Sequence, residues 1–419
     1  MPEHFAKEAL VAVWRLLRSQ GRPRQVVVQI TNRCNARCVQ CGMNVTQRIP
    51  RGDMDLETLT RVIDHCAASG VEALSLTGGE PLLTPETLFA GLDYAQSVGI
   101  RYTRTGTNGA VFTDHGHKDF SARMHQLATR LAACRVRNFW ISLDTVDPAL
   151  HEANRGLPGM VAGLARALPI LRARGIYPTA NLALNRFMGG AVALGSGSPE
   201  AFYAQCVAAL RHFFAFTAEL GFTMANCCYP MCEADREPEQ EAVYGATTTD
   251  RRVTFSAKEK RLLFQALLDT APLFRGKLRL FTPLSAVHAL TRQYGAPPRQ
   301  ARGCLGGISF LFVDRHGDTY PCGYRGKECL GPFGQLDWDR LERQPTCRAC
   351  DWECFRDPSE VLGPVVDLTS GISGLARLLH VDWRQLRLWL ADVGYIWACH
   401  GFDGRLPPDA KRLSLVCRR

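Results

Sequence analysis

No run of 18 apolar residues occurs anywhere in the 419-residue chain, so the sequence offers no helix long enough to cross a bilayer. A small-residue cleavage site is also lacking after MPEHFAKEALVAVWRLLRSQ. This segment has acidic residues early and basic ones late, so residues 1–24 are expected to form an amphipathic helix and not a signal peptide. Basic and aromatic residues are nowhere interleaved, which speaks against a nucleic-acid surface even though the net charge is +10. Part of the excess lies at the ends, in Arg15, Arg18, Arg22 and Arg24 and again in Lys411, Arg412, Arg418 and Arg419, and is read as a solvated surface. With 46% hydrophobic residues the chain is long enough for a large core and for two domains, or for one domain with extensions. Cysteine, by contrast, is abundant. Seventeen in a chain without an export signal argue against disulfides, for metals or clusters, and for a reducing, cytoplasmic location.

The densest group of thiols lies in TNRCNARCVQCGMN, residues 31–44, directly after the apolar run VVVQI. Cys34, Cys38 and Cys41 stand in CxxxCxxC spacing. Three thiolates on one tight loop suit one face of a [4Fe-4S] cube whose fourth iron has no protein ligand. Zinc is the competing reading, but structural zinc sites favour paired CxxC or Cys/His spacings and close all four positions. A second signal follows 37 residues after Cys41, where the strand-like Leu74-Ser75-Leu76-Thr77 ends in Gly78-Gly79-Glu80-Pro81. The two motifs together resemble the radical SAM superfamily, in which CxxxCxxC ends the first strand of a partial TIM barrel and GGEP ends the second. One departure is Gln40, which stands where the family usually carries an aromatic residue. The resemblance implies that the Gln40 backbone meets the adenine of S-adenosylmethionine (AdoMet) without a stacking partner.

Strand-like and helix-like stretches alternate from residue 25 onward, the sign of a parallel sheet with crossover helices. Strands are expected at VVVQI, VEALSLTGG, IRYTRTGTNG, NFWISLDT, YPTANLALN and FTMANCCYP, with helices between them and after the last; the helix containing MVAGLARALPILRARG is expected to bend or break at Pro169. Six βα units are too few for a closed barrel and match the open partial (β/α)6 TIM barrel that the resemblance implies. In parallel barrels the chemistry gathers at the carboxyl ends of the strands. Polar residues at those ends are Asn108 in a Thr-Asn-Gly turn, Ser142 and Asp144 within an apolar strand, and Asn181 and Asn185 on the next. A polar pair such as Ser142 and Asp144 needs buried partners, which a ribose would supply, although local backbone capping explains such residues as well. By resemblance, Gly78, Gly79 and Glu80 receive the methionine amine, while Asn108, Ser142, Asp144 and Asn181 contact the rest of AdoMet. Cys227, Cys228 and Cys232 at the sixth strand end are read as packing and pocket lining, and Cys66, Cys134 and Cys206 as core. Segments 187–198 and 232–252 are expected to be substrate-access loops.

Beyond residue 304 the pattern changes. CLGGISFLFVDRHGDTYPC reads as a hairpin that brings Cys304 and Cys322 together, and CRACDWEC follows with Cys347, Cys350 and Cys354. A zinc ribbon is one reading. The other is a resemblance to the SPASM and twitch extensions of radical SAM enzymes, which hold auxiliary [4Fe-4S] clusters. The second half is abbreviated to CxxCx3C with no obvious last cysteine, which argues for one auxiliary cluster held by Cys304, Cys322, Cys347 and Cys350, with Cys354 the replacement for one of them. Cys329 and the Cys399-His400 pair are not taken as ligands. The expected organisation is an N-terminal helix (1–24), a radical SAM barrel (25–275), a small β-hairpin-containing iron-sulfur domain (276–358) and a helical tail (359–419).

The reading that results is an α/β radical SAM enzyme. By resemblance it cleaves AdoMet reductively to a 5′-deoxyadenosyl radical, which takes hydrogen from a small molecule or short peptide of natural-product type, with a reductant such as flavodoxin or ferredoxin as partner. No specific residue beyond the cofactor sites is assigned to catalysis. The alternatives are a maturase of ribosomal peptides or protein side chains, and a non-catalytic iron-sulfur electron carrier. GGEP speaks against the last, because an electron carrier has no need of a cosubstrate shelf.

Overall fold

A computed structural model describes residues 24–41, 50–195, 197–230, 250–295, 302–338, 341, 347–348, 350–369, 374 and 382–417. The expected N-terminal helix, Cys232, most of 232–252 and the helix expected at SGLARLLH lie outside the described residues.

Strands and helices alternate as β1 (Gln25–Thr31), α1 (Leu56–Ala68), β2 (Ala73–Gly78), α2 (Pro85–Ser97), β3 (Tyr102–Thr107), α3 (Phe120–Ala133) and β4 (Asn138–Leu143). The chain continues with α4 (Pro148–Arg155), α5 (Met160–Ala173), β5 (Thr179–Ala183), α6 (Pro199–Leu220), β6 (Met224–Cys228), α7 (Ala257–Phe274), β7 (Arg279–Leu280) and α8 (Leu284–Gln293). Helix α4 is a short helix that the sequence reading did not anticipate. Its start is nonetheless written in the chain: Asp147 accepts from the Leu150 amide, Pro148 follows at the first helical position, and Gly156 ends the helix in the left-handed region at φ 67°. Of the bend or break expected at Pro169 the break does not occur, and α5 runs through it. Leu164, Ala167, Leu168 and Leu171 bury one face of α5, and that packing outweighs the one backbone bond that Pro169 removes.

With three later strands, β8 (Phe310–Val313), β9 (Asp318–Tyr320) and β10 (Gly331–Pro332), the sheet order is β10-β9-β8-β1-β2-β3-β4-β5-β6-β7, and β1 to β7 are parallel. This is a mostly parallel α/β sheet of the partial-barrel kind, not a closed barrel. The hairpin of β8 (Phe310–Val313) and β9 (Asp318–Tyr320) extends the same sheet, because β8 pairs in parallel with β1. A two-residue β10 (Gly331–Pro332) completes that edge.

Helix-facing residues such as Val26, Val28, Leu74, Leu76, Ile141, Leu182 and Cys227 are buried in the main core. The opposite face differs. Along β4, β5 and β6, Trp140, Ser142, Asn181, Ala183, Asn226 and Cys228 stay half-buried while their neighbours are buried. The inner face of the half barrel therefore lines an accessible chamber. On the β1 and β8 side this face is covered by a second core, in which Val27, Phe310 and Phe312 pack with Trp352 and Phe355. Helix α9 (Glu353–Thr369) starts there and reaches β6, where Glu353 accepts from the Tyr229 amide (3.3 Å) and Asp357 from the Tyr229 hydroxyl (3.1 Å).

The tail docks under the barrel. Gly404 is tied to Tyr177 by backbone bonding at the amino end of β5, and Tyr102 donates to the Phe402 carbonyl (2.8 Å). Helix α10 (Trp383–Ala398) buries Asp392, which accepts from the amides of Leu284 (3.0 Å) and Ser285 (2.8 Å) and from Arg275 (2.9 Å). Asp392 therefore caps α8 (Leu284–Gln293) from a distant part of the chain. Among the described residues no helix is long and apolar enough to cross a membrane. Replacing Asp392 by Ala strands the buried Arg275 and the open amides of α8, and is expected to cost about 3–5 kcal/mol. Leu390→Ala, at a side chain 57% exposed, should change stability by no more than about 0.5 kcal/mol. Urea denaturation of the two variants checks the difference.

Candidate active site

The loop after β1 carries Cys34, Cys38 and Cys41, and the glycine pair after β2 decides where it can lie. A Cβ on Gly78 would stand 2.3 Å from the Thr31 carbonyl oxygen, and one on Gly79 would stand 2.2 Å from that of Arg33. The two backbones touch, and the amides of Gly79 and Glu80 donate to those same carbonyls at 2.9 Å each. Only glycine permits this approach. The shelf read from GGEP thus seats the cysteine loop itself. Glu80 is buried, accepts from the Leu82 (3.0 Å) and Asn108 (2.6 Å) amides, and is pushed up to about 7 by burial against the pull of those bonds. Asn108 donates to Cys34 Sγ (3.3 Å) and to Asn35 (2.9 Å), which joins the end of β3 to the loop. Cys38 rises to about 12, chiefly through burial, with Arg155 opposing and the other two thiols adding to it. Three mutually coupled thiols on a glycine-cradled loop are a donor set that fits a three-cysteine [4Fe-4S] cluster. Among the described residues no group of three His, Cys, Asp or Glu is drawn together as one metal ion would need.

Asp144, just past β4, was expected to find its partner in a ribose. The structure corrects that reasoning, because protein groups already satisfy this carboxylate. Arg155 binds it through two nitrogens (2.8 and 2.6 Å), Asn154 donates at 2.9 Å and Gln40 at 3.4 Å. Burial alone would raise the Asp144 pKa, but Arg155 and its neighbours hold it at about 2. His151 is fully buried, accepts from the Asp144 amide (3.2 Å) and is pushed down by burial to about 4, so it is neutral. Burial opposes the charge of Arg155, and Asp144 with the thiols of Cys38 and Cys34 more than offsets this. A recess of about 320 Å³ opens beside the group, lined by Gln40, Asp144, Asn154, Phe187 and Arg252 among others. Phe187 contributes an aromatic ring to this recess from the segment after β5. Arg252 donates to Asn154, which in turn donates to Gln40 (3.0 Å). Ser142 and Asn181 face the chamber as neighbours in register, and Asn181 accepts from Asn226 (3.2 Å) and Cys228 (3.0 Å). Asn185 is spent on backbone, donating to the Asp144 carbonyl (2.6 Å).

Four of the five cysteines read as candidate auxiliary ligands border one recess. Cys304, Cys322, Cys347 and Cys350 line one recess of about 290 Å³ with Arg325, Trp352 and Phe355. Cys304 and Cys347 are also tied through backbone bonding at 2.8 Å. Cys354 is not among the lining residues. It lies on α9 toward the chamber, close to Glu353, Arg104 and Cys228. Cys329 is exposed, and Cys399 is buried in a small core with Tyr395 and Phe402. Cys66, Cys134 and Cys206 are fully buried in the main core. Every described cysteine is free of disulfide bonding.

Arg155, Asn154, Phe187, Arg252 and Glu353 were not found by reading the sequence. The Asp-Pro start of α4 and the Arg-Gly at its end were the available signal for the first two; the others have no local signature.

Residues 28–186 match the Radical SAM superfamily model. The AdoMet-dependent heme synthase of Methanosarcina barkeri (strain Fusaro / DSM 804) is 24% identical over 345 residues, which cover 81% of this chain and 87% of that protein. A GTP 3′,8-cyclase of Rhodopseudomonas palustris (strain TIE-1) is 37% identical over 152 residues, 34% of this chain and 41% of the cyclase. The fold is also similar to Streptococcus suis SuiB bound to precursor peptide SuiA (TM-score 0.50, 16% identity), covering 78% of this chain and 66% of that one. The half barrel built around Cys34, Cys38 and Cys41 is a radical SAM domain, and the protein is a radical SAM enzyme.

Proposed function

We propose that the enzyme binds AdoMet between the cysteine loop and the recess at Asp144, and abstracts hydrogen from a small organic substrate held in the inner chamber. The observation that carries this reading is the half-exposed inner face of β4, β5 and β6, walled by polar side chains below the cysteine loop and roofed by α9. Cys34, Cys38 and Cys41 would hold the [4Fe-4S] cluster, which when bound supplies the electron that splits AdoMet into methionine and the 5′-deoxyadenosyl radical. Glu80 is placed to receive an ammonium group, since a cation would relieve its burial cost. Gln40, Asn154 and Arg252 offer donors and acceptors for a polar ring edge, and Phe187 offers a face. Arg155 is occupied by Asp144 and by a long contact to the Asn108 carbonyl (3.5 Å), so it positions the loop and offsets thiolate charge. Gly78, Gly79, Asn108, Ser142 and Asn181 complete the wall that AdoMet would meet.

Cys304, Cys322, Cys347 and Cys350 would hold one auxiliary cluster, with Cys354 left to the chamber. Substrate of small-molecule size is favoured by the heme synthases, relatives named for a small-molecule product and matched over most of their length. A one-electron donor such as flavodoxin or ferredoxin is the partner this chemistry requires.

Anaerobic, dithionite-reduced protein should release 5′-deoxyadenosine from AdoMet, and Cys38→Ala should abolish the release; no product from fully reconstituted wild type would end the reading. Iron analysis should give about eight irons per chain in wild type and about four when Cys34, Cys38 and Cys41 are all alanine, at four per cluster. Asn154→Ala removes one donor to the recess and is expected to weaken AdoMet binding about fivefold, the worth of one hydrogen bond. Calorimetric titration of the reconstituted protein checks this, and an unchanged Kd would remove the recess as the cosubstrate site.

A further inference from the structure

The chamber below the AdoMet recess has a floor that none of the preceding roles uses. Gly106 and Trp140 are partners in register on β3 and β4. A Cβ on Gly106 would lie 2.2 Å from Trp140 Nε1 and 2.3 Å from both Cδ1 and Cε2. Three nearly equal distances mean that the indole faces the glycine and rests on the β3 backbone. Its other face is turned to the chamber, and the residue is half-buried although it lies on the inside of the sheet.

Arg104 stands two residues earlier on the same face of β3, its Cζ 5.6 Å from the Trp140 ring centroid. Its Nε is buried and has no hydrogen-bond partner. Among the described residues Arg104 joins no ion pair, whereas Asp144 is held by Arg155 and Asp351 by Lys260. Glu353, next to Cys354 on α9, is pushed up to about 7 by burial and accepts from the Tyr229 amide, so it is a weak counterion. Cys354 lies within electrostatic reach of Arg104, but its own thiol is driven well above the ordinary range by burial and by Glu353. A guanidinium inside a barrel without an anion is costly. It lies beside an aromatic face that is half open, and the combination is suited to a flat group bearing negative charge.

We propose that Arg104 and Trp140 form the substrate-recognition floor of the chamber and take a planar, conjugated group carrying a carboxylate. This rests on the proposed reaction for its substrate but not for its test. Arg104 is four residues below Asn108, which touches Cys34, so the floor lies about 13 Å beneath the cysteine loop at 3.3 Å per residue. An anchored acid at that depth leaves room for a molecule of a few rings to reach the radical, and it places the anionic end away from the reacting carbon.

The test uses reconstituted, AdoMet-loaded holoenzyme, kept anaerobic, with 2-naphthoate as the probe in calorimetric titration. One naphthoate per chain is expected, with Arg104→Gln and Trp140→Leu each weakening it about tenfold, the scale of a charged hydrogen bond or a stacked ring. Arg104→Lys should retain part of the affinity, which separates lost charge from a misfolded floor. Cyclohexanecarboxylate should bind more weakly than naphthoate in wild type and equally in Trp140→Leu. The proposal is overturned if naphthoate fails to bind, if it binds both variants as it binds wild type, or if 2-naphthylmethylamine binds as tightly, which would assign the floor to Glu353 and a cation. Loss of AdoMet binding in Arg104→Gln would also overturn it, because Arg104 would then belong to the cosubstrate. If naphthoate binds through Arg104 while no 5′-deoxyadenosine forms with any reductant, the proposed reaction falls and this site stands.

Discussion

The buried pair of Asp144 and Arg155 is the interaction on which the site depends. It joins the end of β4 to the end of α4, and from Arg155 the connections continue outward. The Arg155 carbonyl receives the Arg37 amide at 2.8 Å, in the middle of the cysteine loop, while its guanidinium reaches the Asn108 carbonyl. Asn108 in turn touches Cys34 and caps Glu80. A fully desolvated ion pair contributes little net stability compared with an apolar pair of the same shape. Its value here is geometric and electrostatic: it fixes the direction of one positive charge beside the thiols of Cys38 and Cys34.

The glycine shelf is the complementary constraint from below. Gly78 and Gly79 let two backbones meet where any side chain would separate them, so the loop has one seat. A loop fixed from both sides orients thiols without needing a ligand to organise them, which is how a rigid scaffold lowers the ordering cost of a cofactor. The residues that hold the loop stand in regular elements or directly at their ends, and this makes the seat more precise than the loop alone would be.

The second organising feature is the way α9 closes the half barrel. A parallel sheet is ordinarily covered on both faces and reads as continuous apolar runs. Here β4 to β6 alternate, with Ile141, Leu182 and Cys227 toward the helices and Ser142, Asn181 and Asn226 toward the interior. Glu353, Cys354 and Asp357 meet this polar lining from the opposite side. Helix α9 also borders the recess of the four cysteines through Phe355. One helix thus borders both the end of β6 and the recess of the four cysteines.

Much of this was legible in the chain because it is local. The spacing of Cys34, Cys38 and Cys41 puts three thiols on one loop whatever the rest of the fold does, and GGEP marks a strand end by its own turn chemistry. Alternating strand and helix patterns gave the half barrel for the same reason, since apolar periodicity is a property of neighbouring residues. Tertiary structure decided which groups answer one another across the chain. Asp144 reads as a carboxylate in need of a partner until α4, a helix the sequence reading did not pick out, turns Arg155 back onto it. Cys354 is four residues after Cys350 in one motif, yet a helical turn directs it toward Cys228, 126 positions earlier in the chain. Arg104 is one basic residue among many in a basic sequence, and only the folded sheet shows that it joins no ion pair among the described residues. Spacing along the chain determines what a loop can bind, but whether a buried charge is satisfied depends on the side chains that folding brings to it from elsewhere.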